Sequence, residues 1–383
     1  MGTRFQHLWR DERGMSFVWV GMGFMAFFAA TTLAIDVGMF MTARSQAQNA
    51  ADAGALAGAT ALVFDDYDDR SDDGPAKMSA MNTAKGNDVM RIDVSVVPDD
   101  VTFPLSPAGY DNRVKVNAFR TSDRNNPVAA LIGPIFGVPT VNISATATAE
   151  ASPANAMSCV KPFTIPDRWE ENGDPDWDPG DSFQRYDNFG MVLPNADRYG
   201  PPGSGSYTGY NPTRDKGILL TIRASGESNI EPSMYYSWAM PGGTGASWYE
   251  ENISACNTTE IEIGHEIVHE PGNMVGPTNH GVDDLIAKDP TAYWDVANKR
   301  PVSTMKPSPR VFPIPLFDPD FYQWGKVNGR PADLKVANWI GFFIVDRTGN
   351  EVHGRITPIQ GIIKGDAGAA PNDVFPKVIR LVE

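Results

Sequence analysis

The residues best spaced to do chemistry are His265-Glu266-Ile267-Val268-His269, which satisfy H-E-x-x-H. On a helix, the two histidines of such a string share a face and bind zinc, and the glutamate activates a water. The flanks oppose a helix. Residues 258–268 are dense in β-branched side chains, Gly264 interrupts them and Pro271 follows closely. In a strand, positions four apart also share a face but stand about 13 Å apart, too far for two ligands of one zinc ion. Val275 occupies the position of a metzincin's third ligand, which leaves only His280, through a loop, to complete a site. His265, Glu266 and His269 are therefore read as strand and turn, with a membrane-tethered zinc peptidase as the alternative. Asp174, Asp176 and Asp178 alternate as calcium-loop carboxylates do, but the glycine is misplaced and Arg185 stands where the twelfth-position carboxylate belongs. An exposed acidic turn is expected there. No Gly-x-Ser-x-Gly, phosphate-binding loop or dinucleotide fingerprint occurs. The chain is read as a non-enzyme, with no catalytic residue, metal or cofactor expected. Its formal charge is −15 and it has no basic run, which argues against nucleic acid as a partner.

The elements that would carry these residues begin with an anchor. Residues 15–35, MSFVWVGMGFMAFFAATTLAI, are 21 consecutive positions without charge. An apolar helix of about 20 residues crosses a bilayer. A cleaved signal peptide would carry a shorter apolar core, and here helical sequence continues beyond Asp36, so the segment is read as retained. Arg4, Arg10 and Arg13 precede it. By the positive-inside rule, residues 1–14 stay cytoplasmic and the remaining chain is exported. Export places Cys159 and Cys256 in an oxidising compartment, where a disulfide between them is expected. Residues 36–63 lack proline and are rich in alanine, so the helix should continue through them. Small residues at spacings of three and four give this continuation a smooth face.

Gly14, Asp36, Gly38, Gln48, Asp52, Ala55, Leu56 and Ala57, in their order and spacing around the apolar run, resemble the N-terminal region of the TadE/TadG-like family of tight-adherence (Tad, or Flp) pilus assembly. The resemblance covers roughly residues 13–62. It implies a bacterial inner-membrane protein, pilin-like or pilus-associated, with its bulk in the periplasm and other pilus subunits as partners. Two features depart from relatives of this kind. Trp19 occupies the position, five after Gly14, where processed pilins carry glutamate, and no Asp-x-Ser-x-Ser metal string of a von Willebrand factor A domain is present.

Acidic residues 65–74 read as a linker. A helix over 75–90, strands over 92–96, 114–118 and 141–147, and a short helix over 127–136 broken at Pro134 would form a small α+β, pilin-like unit spanning 64–152. After Pro153 the chain is richer in Pro, Gly, Trp, Tyr and Asp. Apolar runs at 217–222 and 339–345 read as strands, and residues 282–288 and 293–299 as helices. Residues 153–383 are thus expected to form a mainly β periplasmic domain. The fold class is α+β: one long N-terminal transmembrane helix, the small unit, then the β domain. Two functions follow besides the peptidase: a structural or assembly component of a Tad-type pilus, and an adhesin-like surface or periplasmic binding protein suggested by the aromatic loops.

Overall fold

The structure, a computed structural model, describes residues 15–382 except 173–176, 179, 225–228, 271, 330–333 and 366–367. Helix α1 (Met15–Phe64) runs unbroken for 50 residues, about 75 Å at 1.5 Å per residue. Its two halves differ. From Ser16 to Ile35 nearly every side chain is exposed, whereas Ala43, Ala47, Ala50, Ala51, Ala55, Ala59 and Leu62 are fully or almost fully buried. The buried half packs against α2 (Pro75–Lys85) and one face of an antiparallel sheet. That sheet contains β1 (Arg113–Arg120) and β2 (Ile143–Pro153), with the short strand Val101–Thr102 on the far side of β1. Strict alternation along β1 directs Val114, Val116 and Ala118 toward the helix.

The second unit is a closed barrel. Its strands are β3 (Phe163–Pro166), β4 (Leu219–Ala224), β5 (Met234–Ser237), β6 (Val311–Phe317), β7 (Leu334–Thr348) and β8 (Glu351–Thr357). They are joined in the circular order β7–β6–β3–β5–β4–β8, and β8 returns to β7. The β3–β6 and β4–β5 pairs are parallel and the other four antiparallel. Alternate residues of all six strands meet in one cluster, including Phe163, Ile222, Tyr235, Ile314, Phe342 and Val352, so the barrel interior is packed with side chains. Glycine is required at position 354: a Cβ there would overlap the Phe342 ring. Helices α3 (Ala246–Ser254) and α4 (Val275–Lys288) add Tyr249, Ile253, Val282 and Leu285 to this core. A second aromatic cluster holds Trp169, Trp238, Trp339, Phe317 and Tyr322, the last from α5 (Pro319–Val327). The disulfide joins Cys159, just before β3, to Cys256, just after α3.

The chain then returns to its beginning. Strand β9 (Lys377–Leu381) pairs antiparallel with β2, Lys377 opposite Pro153 and Leu381 opposite Ala149. The first sheet therefore takes its fourth strand from the C-terminus.

Several local expectations are corrected. The second helix stops at Lys85, not 90, because Gly86 ends it and Met90 and Arg91 take positive φ angles of 53° and 66° to turn the chain back. Residues 92–96 form isolated bridges, not a strand, although Val94 and Val96 are buried as alternation requires. Residues 127–136 form a short strand, Val128–Ala129, followed by a 3-10 turn, Gly133–Phe136. Residues 293–299 form a hairpin in place of a helix. The Asp295 carboxylate accepts hydrogen bonds from the amides of Ala297 and Asn298, and Lys299 takes φ 46°, which together close the turn between Tyr293–Asp295 and Arg300–Val302.

Candidate functional site

The feature that sets this molecule apart from an ordinary globular domain is the point where α1 leaves the domain. Asp36 is the first charged residue after the apolar run and is 5 % exposed. Its carboxylate accepts hydrogen bonds from three consecutive backbone amides: Leu131 at 3.0 Å, Ile132 at 3.1 Å and Gly133 at 2.7 Å. These amides open the 3-10 turn, and a carboxylate there satisfies donors that have no partner within it. The helix is thereby fastened to a loop 95 to 97 residues away at the level where its exposed apolar surface begins.

Above this point, Gln48 fastens the helix to the sheet. Gln48 Nε2 donates to Asp52 Oδ1 at 2.8 Å and to the Thr146 carbonyl of β2 at 3.0 Å. Ala55 is fully buried, and Leu56 and Ala57 are half-buried. Gly54 and Gly58 permit close approach: a Cβ on Gly58 would stand 2.8 Å from Val114 Cγ1 and 3.0 Å from Ala80 Cβ. Gly38, by contrast, faces open space. Gly14 lies outside the described residues. At the far end, Lys216 donates to the carbonyls of Phe64 and Asp65, placing a cation on the C-terminus of α1. Burial pushes the Lys216 ammonium pKa down, against Asp65 and Asp66, which raise it. A cleft of about 480 Å³ opens here, with Asp65, Asp66, Asn112, Lys216, Lys299 and Lys377 on its walls.

The residues singled out for metal chemistry are not gathered. Glu266 and Ile267 form a two-residue strand on β7, Glu266 opposite Lys335, so the H-E-x-x-H string is extended. His265 and Glu266 are exposed, and His269 lies half-buried with its ring edge-on to Tyr236, centroids 6.3 Å apart. His280 pairs instead with Glu250, 3.4 Å away. Among the described residues, no group of three His, Cys, Asp or Glu side chains could hold a metal ion. Asp174 and Asp176 lie outside the described residues. Asp178 accepts from the Gly180 amide at 2.6 Å in a tight turn.

Two buried ionisable groups gave no signal in the sequence. Lys161 Nζ donates to the Ala255 carbonyl at 2.6 Å, at the C-terminal end of α3, and lies 5.4 Å from the Phe312 ring centroid. Burial, and then the charge of Lys288, push its ammonium down to about 7. Asp167 is wholly buried and accepts from Tyr199, Tyr207 and the Tyr210 amide. Burial pushes its carboxyl up to about 7 against these bonds, which hold it down. Both knit loops to the barrel.

Among the described residues, one helix, Met15–Phe64, is long and apolar enough to cross a membrane. The family model of the Flp pilus-assembly TadE/G-like proteins (Tad) matches residues 14–61, the helix described above from the start of its exposed half nearly to its end. No curated protein and no solved structure matches the chain.

Proposed function

We propose that this protein is a membrane-anchored structural component of a Tad-type pilus apparatus. In this reading, residues 15–35 lie in the bacterial inner membrane, residues 1–14 face the cytoplasm, and both folded units stand on the periplasmic side. One observation carries the reading: within the TadE/G-like segment, a single continuous helix is half embedded in its own domain and half bare. The bare half, with Phe17, Trp19, Phe24 and Phe27 exposed, requires an apolar partner that the other described residues do not supply. The embedded half, the sheet and the barrel then form a rigid body presented to other pilus subunits. The disulfide suits an oxidising compartment. The protein is a scaffold or subunit with no turnover of its own.

Deleting the gene and counting surface pili tests this. Loss of pili, restored by the full chain but not by a chain lacking residues 15–35, is the expected result; intact pili in the deletion strain would overturn it. Shearing pili from cells and probing both fractions then separates a fibre subunit from a factor that remains in the membrane.

A further inference from the structure

The loop that caps Asp36 carries an apolar surface of its own. Leu131, Ile135, Phe136 and Val138 are 68 %, 80 %, 63 % and 49 % exposed, and no residue from 127 to 141 is charged. Four large apolar side chains clustered on one uncharged loop are unusual on a surface that meets only water.

The position of the loop identifies what covers it. Asp36 holds the amides of residues 131–133 directly beside the end of the apolar run. From Ser16 to Asp36, the positions with reduced exposure are Ala29, Thr32 and Asp36. Their spacings of three and four place them on one helix face, the face on which the loop is docked. Ala29 lies seven residues below Asp36, about 10 Å along the axis. The loop's apolar surface is thus continuous with that of α1 and reaches the same level.

Its backbone is also prepared for an apolar medium, where each unpaired amide is costly. The amides of 131, 132 and 133 are taken by Asp36. Ala130 donates to Pro139, Ile135 to Ile132, Gly137 to Pro134 and Val138 to Gly133, and position 134 is proline, which has no amide hydrogen. The charge that the loop caps, Asp36, is itself saturated by these amides.

We infer that residues 131–138 form a second membrane contact, seated in the interfacial layer of the bilayer beside α1. The loop and the helix together give the domain two points of contact with the lipid surface, fixing its tilt and its rotation about the helix axis. This rests on α1 lying in the bilayer, so the test must separate the two claims.

The chain's two cysteines are paired, so a single introduced cysteine is the one free thiol. Full-length Ile135→Cys, Phe28→Cys and Asp73→Cys, each carrying a nitroxide, would be reconstituted in phosphatidylethanolamine–phosphatidylglycerol vesicles. Collisions with oxygen, which concentrates in lipid, would be compared with collisions with a water-soluble nickel chelate. Asp73 is exposed just beyond the far end of α1 and serves as the aqueous reference. The expected result is an oxygen-to-nickel ratio at 135 several-fold above that at 73 and approaching that at 28. A label at 135 as open to nickel as that at 73, with 28 in lipid, overturns the second contact and leaves the anchor standing. Nickel access at 28 overturns the anchor itself. Protection of 135 from both reagents means that protein covers the loop, which also overturns the lipid assignment.

Discussion

The two units bury their cores by opposite means. Around α1 the core is built almost wholly from Ala and Val, with Gly54 and Gly58 where α1 meets α2 and β1. In the barrel unit it is built from rings, among them Trp169, Trp238, Trp339, Phe163, Phe342 and Tyr236. Small side chains let backbones approach closely and leave no room for additions. Large rings fill volume that the backbone leaves open. The first unit should therefore be sensitive to atoms added and the second to atoms removed.

The largest effect expected is in the barrel. Trp339 is fully buried on the longest strand, and Trp339→Ala should cost about 3–5 kcal/mol through the cavity it leaves. Chemical unfolding followed by tryptophan emission reads this unit selectively, because no tryptophan lies between residues 20 and 168. Next comes Gly58→Leu, which forces side-chain atoms against Val114 and Ala80 and should cost about 1–3 kcal/mol. Limited proteolysis in the 65–74 linker would detect the loosened helix. A Gly58→Leu chain as stable as the parent would end the contrast between the units.

The third contrast separates them by pH. Lysine in an unfolded chain titrates near 10.5, and Lys161 in the fold near 7. Between those values the unfolded chain binds more protons, so barrel stability should rise with pH. Lys161→Met should flatten that rise. Asp167, pushed up to about 7, acts in the lower window: the folded state binds the extra proton, and stability falls as pH climbs from about 4 to 7. In the first unit, burial pushes the Glu150 carboxyl up, but bonds from Ser152, Arg113 and Arg380 outweigh it and hold it below the ordinary range. Its contribution is present above that range and lost as pH falls. Acid should therefore weaken the β1–β2 sheet while it relieves the barrel at Asp167. Hydrogen exchange at β2 and β7 amides, measured from pH 7 to below the ordinary carboxylate range, would show protection declining first at β2.

Much of this contrast is legible in the residues themselves. The apolar run and the alanine-rich continuation specify α1 through length and composition, and the alternation along 114–118 specifies β1. The extended H-E-x-x-H string is likewise legible from its β-branched flanks and Gly264. What escapes is set by distance in sequence. Nothing local shows that Asp36 would find the amides of 131–133, that β8 would return to β7 to close a barrel, or that the last strand would join the first sheet. The helix Pro319–Val327 is missed as well, although Asp318 accepts from the Phe321 amide at 2.8 Å and proline occupies its first turn. The hairpin at 293–302 is the reverse case, where a helical pattern yields to an aspartate-closed turn.

The pairing of β9 with β2 reverses the order of completion. The unit that α1 opens cannot be finished until residues 377–381 are made. Until 377–381 arrive, β2 lacks its partner along residues 149–153, the kind of open edge that invites pairing with another chain. A chain cut short anywhere in the barrel leaves that edge exposed on the unit that carries α1. Integrity of residues 377–381 is thereby reported at the unit that carries α1.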